Sequence, residues 1–159
     1  ILNAGLTDDR VQVSSEITEL LTAIDKELHQ KGWRLYIKEG YRSKALYKIV
    51  YERRIAKYGK EITDTILNID TMPHSEGKSV DISIWDTKNN KEIYMRKGAD
   101  GVLAFFIIFY RDKIDEESKN YQYLQDFMAE LMMKYGFRFG SKREYFHFDY
   151  RPNLEQNYH

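Results

Sequence analysis

The chain of 159 residues contains no cysteine. That excludes disulfides, thiolate metal ligands and thiol nucleophiles in one step. It also has no charge of one sign to spare, because 25 Lys and Arg balance 25 Asp and Glu. No bulk electrostatic pull toward nucleic acid or an anionic membrane is therefore expected. Long hydrophobic runs are missing as well. The longest, VLAFFIIFY at 102–110, is far short of the roughly 20 apolar residues that cross a bilayer. There is no internal repeat, no low-complexity tract and no signal-peptide pattern. The chain begins at Ile1 rather than at a methionine, so an upstream segment removed by processing or by choice of boundary is expected.

What is present is the composition of an ordinary folded domain, with 42% apolar and 31% charged residues. The length suits a single domain over 1–159, with its core between about 15 and 150. Thirteen tyrosines and eight phenylalanines predict a core or groove rich in rings. Ser14 and Ser15 can cap a helix in which Ile17, Leu20, Leu21, Ile24 and Leu28 recur at helical spacing until Gly32. WRLYIKEG then alternates as a strand with Trp33, Leu35 and Ile37 on one side. Helical spacing returns from Ser43 to about Tyr58 and again from Glu117 to Tyr135, where Gly136 ends it. Val80–Trp85 reads as a strand, Asn89 and Asn90 as the tip of a turn, and Ile93–Met95 as the returning strand. Segment 101–110 is ambiguous, because a short apolar run cannot be assigned by periodicity alone, and 144–150 alternates as a final strand. The expected fold class is α+β, a small antiparallel sheet with helices covering one face.

Two stretches carry chemistry. TMPHSEGKSVDISIW, at 71–85, holds His74 and Asp81 at the mouth of a strand. EYFHFDY, at 144–150, holds Glu144 and His147. Catalytic zinc takes three nitrogen or oxygen ligands and leaves a fourth position for water. His74, Asp81 and His147 supply that number and type, and two imidazoles with one carboxylate suit zinc. A carboxylate beside the metal's water can take its proton and deliver it to a leaving amine, the role open to Glu144. On an ideal strand Glu144 and His147 point to opposite faces, so this role requires Glu144 to sit in a bend before the strand. Each motif alone arises by chance, and a lone strand histidine is usually a packed or surface residue. Their joint presence, in this order and each at the start of a strand, shifts the balance toward a metal site without deciding it. His29 on the polar side of the first helix and the terminal His159 need no role, and RDKIDEESK at 111–119 reads as solvated.

The two motifs together resemble peptidase family M15, the zinc peptidases that act on D-alanine-containing peptides of bacterial cell walls. The family's first motif reads SxHxxGxAxD, here MPHSEGKSVD; its second reads ExWH, here EYFH. Met72 stands for the motif serine, Ser79 for the alanine and Phe146 for the tryptophan. The resemblance implies the hedgehog/DD-peptidase-like fold, one zinc ion on His74, Asp81 and His147, and Glu144 as catalytic base. The YR pair in EGYRSK resembles the family's strand-to-helix turn. It implies that Arg42 stabilises the oxyanion of the tetrahedral intermediate, with Tyr41 beside the substrate. Asp100, nineteen residues after Asp81, resembles the aspartate that holds the free ammonium in the dipeptidase branch. Ser79 is placed with the substrate-binding residues.

The expected function is a zinc D-alanyl-D-alanine dipeptidase, in which zinc-bound water attacks the carbonyl between two D-alanines. The alternatives are a D,D-carboxypeptidase or wall endopeptidase on stem peptides, and a non-catalytic zinc-containing module like the hedgehog signalling domains. Glu144 and Arg42 favour catalysis, since a structural zinc needs neither. The expected partners are D-Ala-terminated peptides or peptidoglycan stem peptides. The expected location is the cell envelope, periplasmic or exported, with the cytoplasm as the alternative for a dipeptidase acting on free D-Ala-D-Ala.

Overall fold

The computed structural model describes residues 15–39 and 78–158. Among the described residues two α-helices pack on one five-stranded antiparallel sheet, the expected α+β class. The helices are α1 (Ser15–His29) and α2 (Glu116–Lys134). The strands are β1 (Trp33–Glu39), β2 (Ser79–Asp86), β3 (Lys91–Ile93), β4 (Phe137–Phe139) and β5 (His147–Tyr150). The order β1-β2-β5-β4 runs across the sheet, and β3 pairs with β2. The helix expected over 43–58 lies outside the described residues.

α1 forms because Ile17, Leu21, Ile24 and Leu28 make one apolar stripe, and all four are buried. The helix closes through tight turns in which Lys31 N–H donates to Leu28 C=O at 3.0 Å and Gly32 N–H to His29 C=O at 3.0 Å. α2 starts where the Asp115 carboxylate accepts from Ser118 N–H at 3.0 Å. It ends at Gly136, whose φ of 91° is left-handed. A side chain there would also meet the Tyr150 ring at 2.9 Å. The stripe of α1 joins Leu124, Met128 and Met132 of α2, Val80, Ile82 and Ile84 of β2, and Phe137, Phe139 and Phe148 in one core.

β2 organises the sheet. One edge pairs along its length with β1, Trp33 opposite Asp86 through Glu39 opposite Asp81, with a bulge after Ile37. Its other edge is divided. Ser79, Val80 and Asp81 pair with β5, while Ile84, Trp85 and Asp86 pair with β3. The returning strand occupies Lys91–Ile93 rather than the expected Ile93–Met95. Pairing starts immediately after the turn, where Asp86 accepts from Lys88 N–H and Asn89 N–H, and where Asn90 has a φ of 53°. Further along, the Met95 carbonyl is taken by the Gln125 side chain of α2 at 2.9 Å, and so leaves the ladder. The ambiguous segment 101–110 contains a 3-10 turn at Val102–Phe105 and a single bridge from Phe106 to Glu144. β4 was not foreseen in the sequence. The Gln156 side chain brackets its outer edge, accepting from Phe139 N–H at 2.7 Å and donating to Phe139 C=O at 3.2 Å.

Asp25 ties α1 to β1 by accepting from Leu35 N–H at 2.8 Å and Arg34 Nε–H at 3.0 Å. Burial would raise its pKa, but the hydrogen bonds from Arg34 and Leu35 outweigh it and hold the carboxyl below its ordinary 3.8. The Asp25→Ala variant is expected to lose about 1–2 kcal/mol of unfolding free energy at neutral pH. A carboxylate with a depressed folded-state pKa stabilises fully above its unfolded value and loses that contribution as pH falls through the folded one. Urea titrations of wild type and variant should therefore differ at pH 7 and converge in acid.

Candidate functional site

Side chains alternate along β2, so Val80, Ile82 and Ile84 enter the core while Ser79, Asp81 and Ser83 take the other face. β5 alternates likewise, with Phe148 fully buried in the core and His147 and Asp149 on the opposite face. Antiparallel register sets Asp81 opposite His147 and Ser79 opposite Asp149. The four form a hydrogen-bonded chain. Ser79 Oγ–H donates to Asp149 Oδ1 at 2.6 Å, and His147 Nε2–H donates to the same oxygen at 2.8 Å. On the other side of the ring, His147 Nδ1 lies 3.0 Å from Asp81 Oδ1.

All four are largely removed from solvent, with Ser79 3% and His147 8% exposed. Burial by itself would lower the imidazole pKa. The hydrogen bonds to Asp149 and Asp81 overcome it and push the pKa up to about 10. Asp149 is pushed up by its burial, but the His147 and Ser79 contacts prevail and hold it below the usual carboxylate range. Gly140 closes the far side of the ring. A Cβ at that position would stand 2.8 Å from His147 Cδ2 and 3.2 Å from Nε2.

Glu144 precedes β5 and is 5% exposed. Its backbone bridges to Phe106, and its carbonyl accepts from His147 N–H at 3.4 Å across a turn at Tyr145–Phe146. Arg143, at a φ of 55°, starts the bend. The strand expected over 144–150 is thus confined to 147–150, because the left-handed residue and the turn break the ladder. Glu144 stands before the strand, as a base role beside His147 requires.

A cavity of about 510 Å³ opens where β5 and β3 part from the divided edge of β2. Asp81, Ser83, Glu92, Arg96, Phe105 and Phe146 are among its walls. The Arg96 guanidinium lies over the Phe105 ring, 4.7 Å from its centroid, and hydrogen-bonds Tyr145. Burial raises the Tyr145 phenol to about 12, with Arg96 opposing the rise. Lys38 pairs with Glu92 at 2.8 Å and Lys97 with Glu117 at 3.8 Å. Among the described residues no carboxylate pairs with Arg96.

The structure brings Asp81 and His147 into contact, and Glu144 meets His147 through its backbone carbonyl. Ser79, placed with the substrate from sequence, lies behind His147 on Asp149 and is not part of the cavity wall. Asp100 sits exposed in a 3-10 turn, accepts from Tyr110 Oη–H at 2.7 Å, and is also absent from that wall, although its neighbours Lys97 and Gly98 line it. His74, Arg42 and Tyr41 lie outside the described residues. Sequence reasoning missed Asp149 and Arg96. The first was legible in principle, two residues after His147 and therefore on the same face of a strand. Nothing local distinguished the second.

The residues present fit zinc. An imidazole nitrogen and a carboxylate oxygen face each other at 3.0 Å, and the second ring nitrogen is held by an outer carboxylate, as in metal-binding histidines generally. Among the described residues no third ligating side chain completes a metal site.

No family model matches the sequence, and no curated protein matches it. Solved structures do. One is a mutant of the vancomycin-resistance D,D-pentapeptidase VanY from a VanB-type resistance cassette, in complex with Zn(II). The likeness has a TM-score of 0.58 at 16% identity and covers 91% of this chain and 75% of that one. Another is the LD-carboxypeptidase LdcB, whose structure concerns peptidoglycan recognition. Here the TM-score is 0.56 at 16% identity, over 92% of this chain and 64% of that one. The chain shares their fold, in agreement with the resemblance carried by its motifs.

Gly140→Ala should force the His147 ring to move. The expected result is a loss of about 1–3 kcal/mol in denaturant titration, against a change within about 0.5 kcal/mol for Gly98→Ala, where a Cβ meets nothing within 4 Å.

Proposed function

We propose that the protein is a zinc peptidase hydrolysing bonds next to D-amino acids in peptidoglycan peptides. The observation that carries this reading is that His147 faces the cavity-lining Asp81, with buried Glu144 one turn ahead. The two solved proteins with the same fold support it, one a D,D-pentapeptidase crystallised with zinc and the other an LD-carboxypeptidase whose structure concerns peptidoglycan recognition. Asp81 and His147 would hold the metal, with His74 as third ligand. Bound zinc supplies Lewis acidity, making water nucleophilic near neutral pH and polarising the carbonyl. Glu144 accepts the attacking water's proton and passes it to the leaving amine. Its burial excludes bulk water from that transfer. Arg42 stabilises the charge developing on the carbonyl oxygen.

The absence of Asp100 from the cavity wall favours a carboxypeptidase over the dipeptidase, and Arg96 serves either, since both substrates end in a carboxylate. A guanidinium fixed on Phe105 and lacking an ion-pair partner among the described residues suits the carboxylate end of a peptide. The dipeptidase remains the second reading, because Asp100 stands beside the cavity-lining Gly98 and could turn toward a free ammonium. Substrates of this kind imply an exported or envelope location. Among the described residues no helix is long and apolar enough to cross a membrane.

Release of D-alanine by the zinc-loaded protein, from D-Ala-D-Ala and from a stem pentapeptide in parallel, tests the proposal. Pentapeptide cleavage is expected, and Glu144→Gln should lower kcat by about 10²–10⁴. Cleavage of the dipeptide alone would establish the dipeptidase, and cleavage of neither, with zinc bound, would overturn both. Arg96→Gln should raise KM for the acid-terminated peptide about tenfold and leave a carboxamide-terminated analogue unaffected.

A further inference from the structure

We propose that Asp149 is the positioning residue of the metal-site histidine, and that Ser79 in turn holds Asp149. The inference rests on the zinc reading above and extends it to Asp149, which had no role, and to Ser79, which the motif placed with the substrate. A ligating imidazole must be held in one orientation and one tautomer. The usual device is a carboxylate or carbonyl that accepts the proton of the ring nitrogen not on the metal. Here Asp149 Oδ1 meets Nε2 at 2.8 Å, which leaves Nδ1 as the nitrogen facing Asp81.

Three features make Asp149 suited to this and not simply close. It lies two residues from His147 on the same strand, so backbone geometry sets their separation. Its accepting oxygen also receives the Ser79 hydroxyl at 2.6 Å from the facing position of β2, so the carboxylate cannot rotate without breaking a buried hydrogen bond. Gly140 leaves no side chain between the ring edge and its own backbone. A Cβ there would lie 3.5 Å from Asp149 Oδ2 as well as against the imidazole. The ring is therefore gripped at Nε2 and along its Cδ2 edge, with only Nδ1 directed at Asp81. Ser79 belongs to the support of the metal site in this account, and the substrate meets the other side of Asp81, on the cavity.

The test measures zinc affinity by chelator competition on the whole chain, alongside the imidazole ¹⁵N and ¹H signals of the metal-free protein. Asp149→Ala should weaken zinc binding about 10–100-fold, and Asp149→Asn, whose amide oxygen can still accept, should weaken it less. Ser79→Ala should cost a smaller factor in the wild type and nothing further in the Asp149→Ala background, the signature of action through one carboxylate. Asp112→Asn, an exposed acid, should leave affinity unchanged. In the metal-free protein the His147 Nε2 proton should be slow to exchange and shifted downfield, and Asp149→Ala should abolish this signal. Wild-type zinc affinity in a folded Asp149→Ala variant would overturn the inference. So would an unchanged Nε2 signal in that variant, which needs no metal to observe. Absence of zinc binding by the wild type, with the Nε2 signal present and lost in Asp149→Ala, would overturn the zinc reading and leave the hold of Asp149 on His147 standing.

Discussion

The register of β2 against β5 is the constraint on which the rest depends. Val80 faces Phe148 across the ladder, both fully buried among side chains from the helices and the sheet. Burying two such side chains contributes about 1.5–3 kcal/mol each. A slip of one residue would drive Asp81 or His147 into that core and turn Phe148 out. The apolar pair therefore decides which polar residues meet on the other face. The cluster of Ser79, Asp81, His147 and Asp149 follows from a hydrophobic match, although burying charges is itself costly.

The divided edge of β2 is the second determinant. Because β5 uses its first half and β3 its second, the sheet forks, and the cavity occupies the fork. The same break frees the chain before β5 to bend. Arg143 and the turn at Tyr145–Phe146 carry Glu144 out of the strand alternation, and the bridge to Phe106 fastens it to segment 101–110. That segment also supplies Phe105, the platform for Arg96. The candidate base and the cationic wall are thus held by one irregular stretch of chain, which neither helix nor strand periodicity describes.

Much of the fold was legible. α1 and α2 follow from apolar spacing and cap chemistry, both contained within one helix. β1 and β2 follow from alternation and their flanking residues. The motif residues Asp81, Glu144 and His147 stand out by type and spacing alone, and the need for a bend at Glu144 follows from the two-residue period of strands. β4 was not legible, because three residues carry no readable period. The returning strand was misplaced by two residues, since its end depends on Gln125 from α2 capturing the Met95 carbonyl.

The sequence by itself determined the longer elements, their apolar faces and the residue types able to bind a metal and move a proton, because these depend on neighbours a few positions away. Only the tertiary structure decided that Asp149 grips the outer nitrogen of His147, that Ser79 stands behind the site, and that Arg96 faces the cavity without an ion-pair partner among the described residues. Each of these rests on contacts between distant segments of the chain. Strand pairing and core packing choose such contacts, and a local pattern cannot encode them.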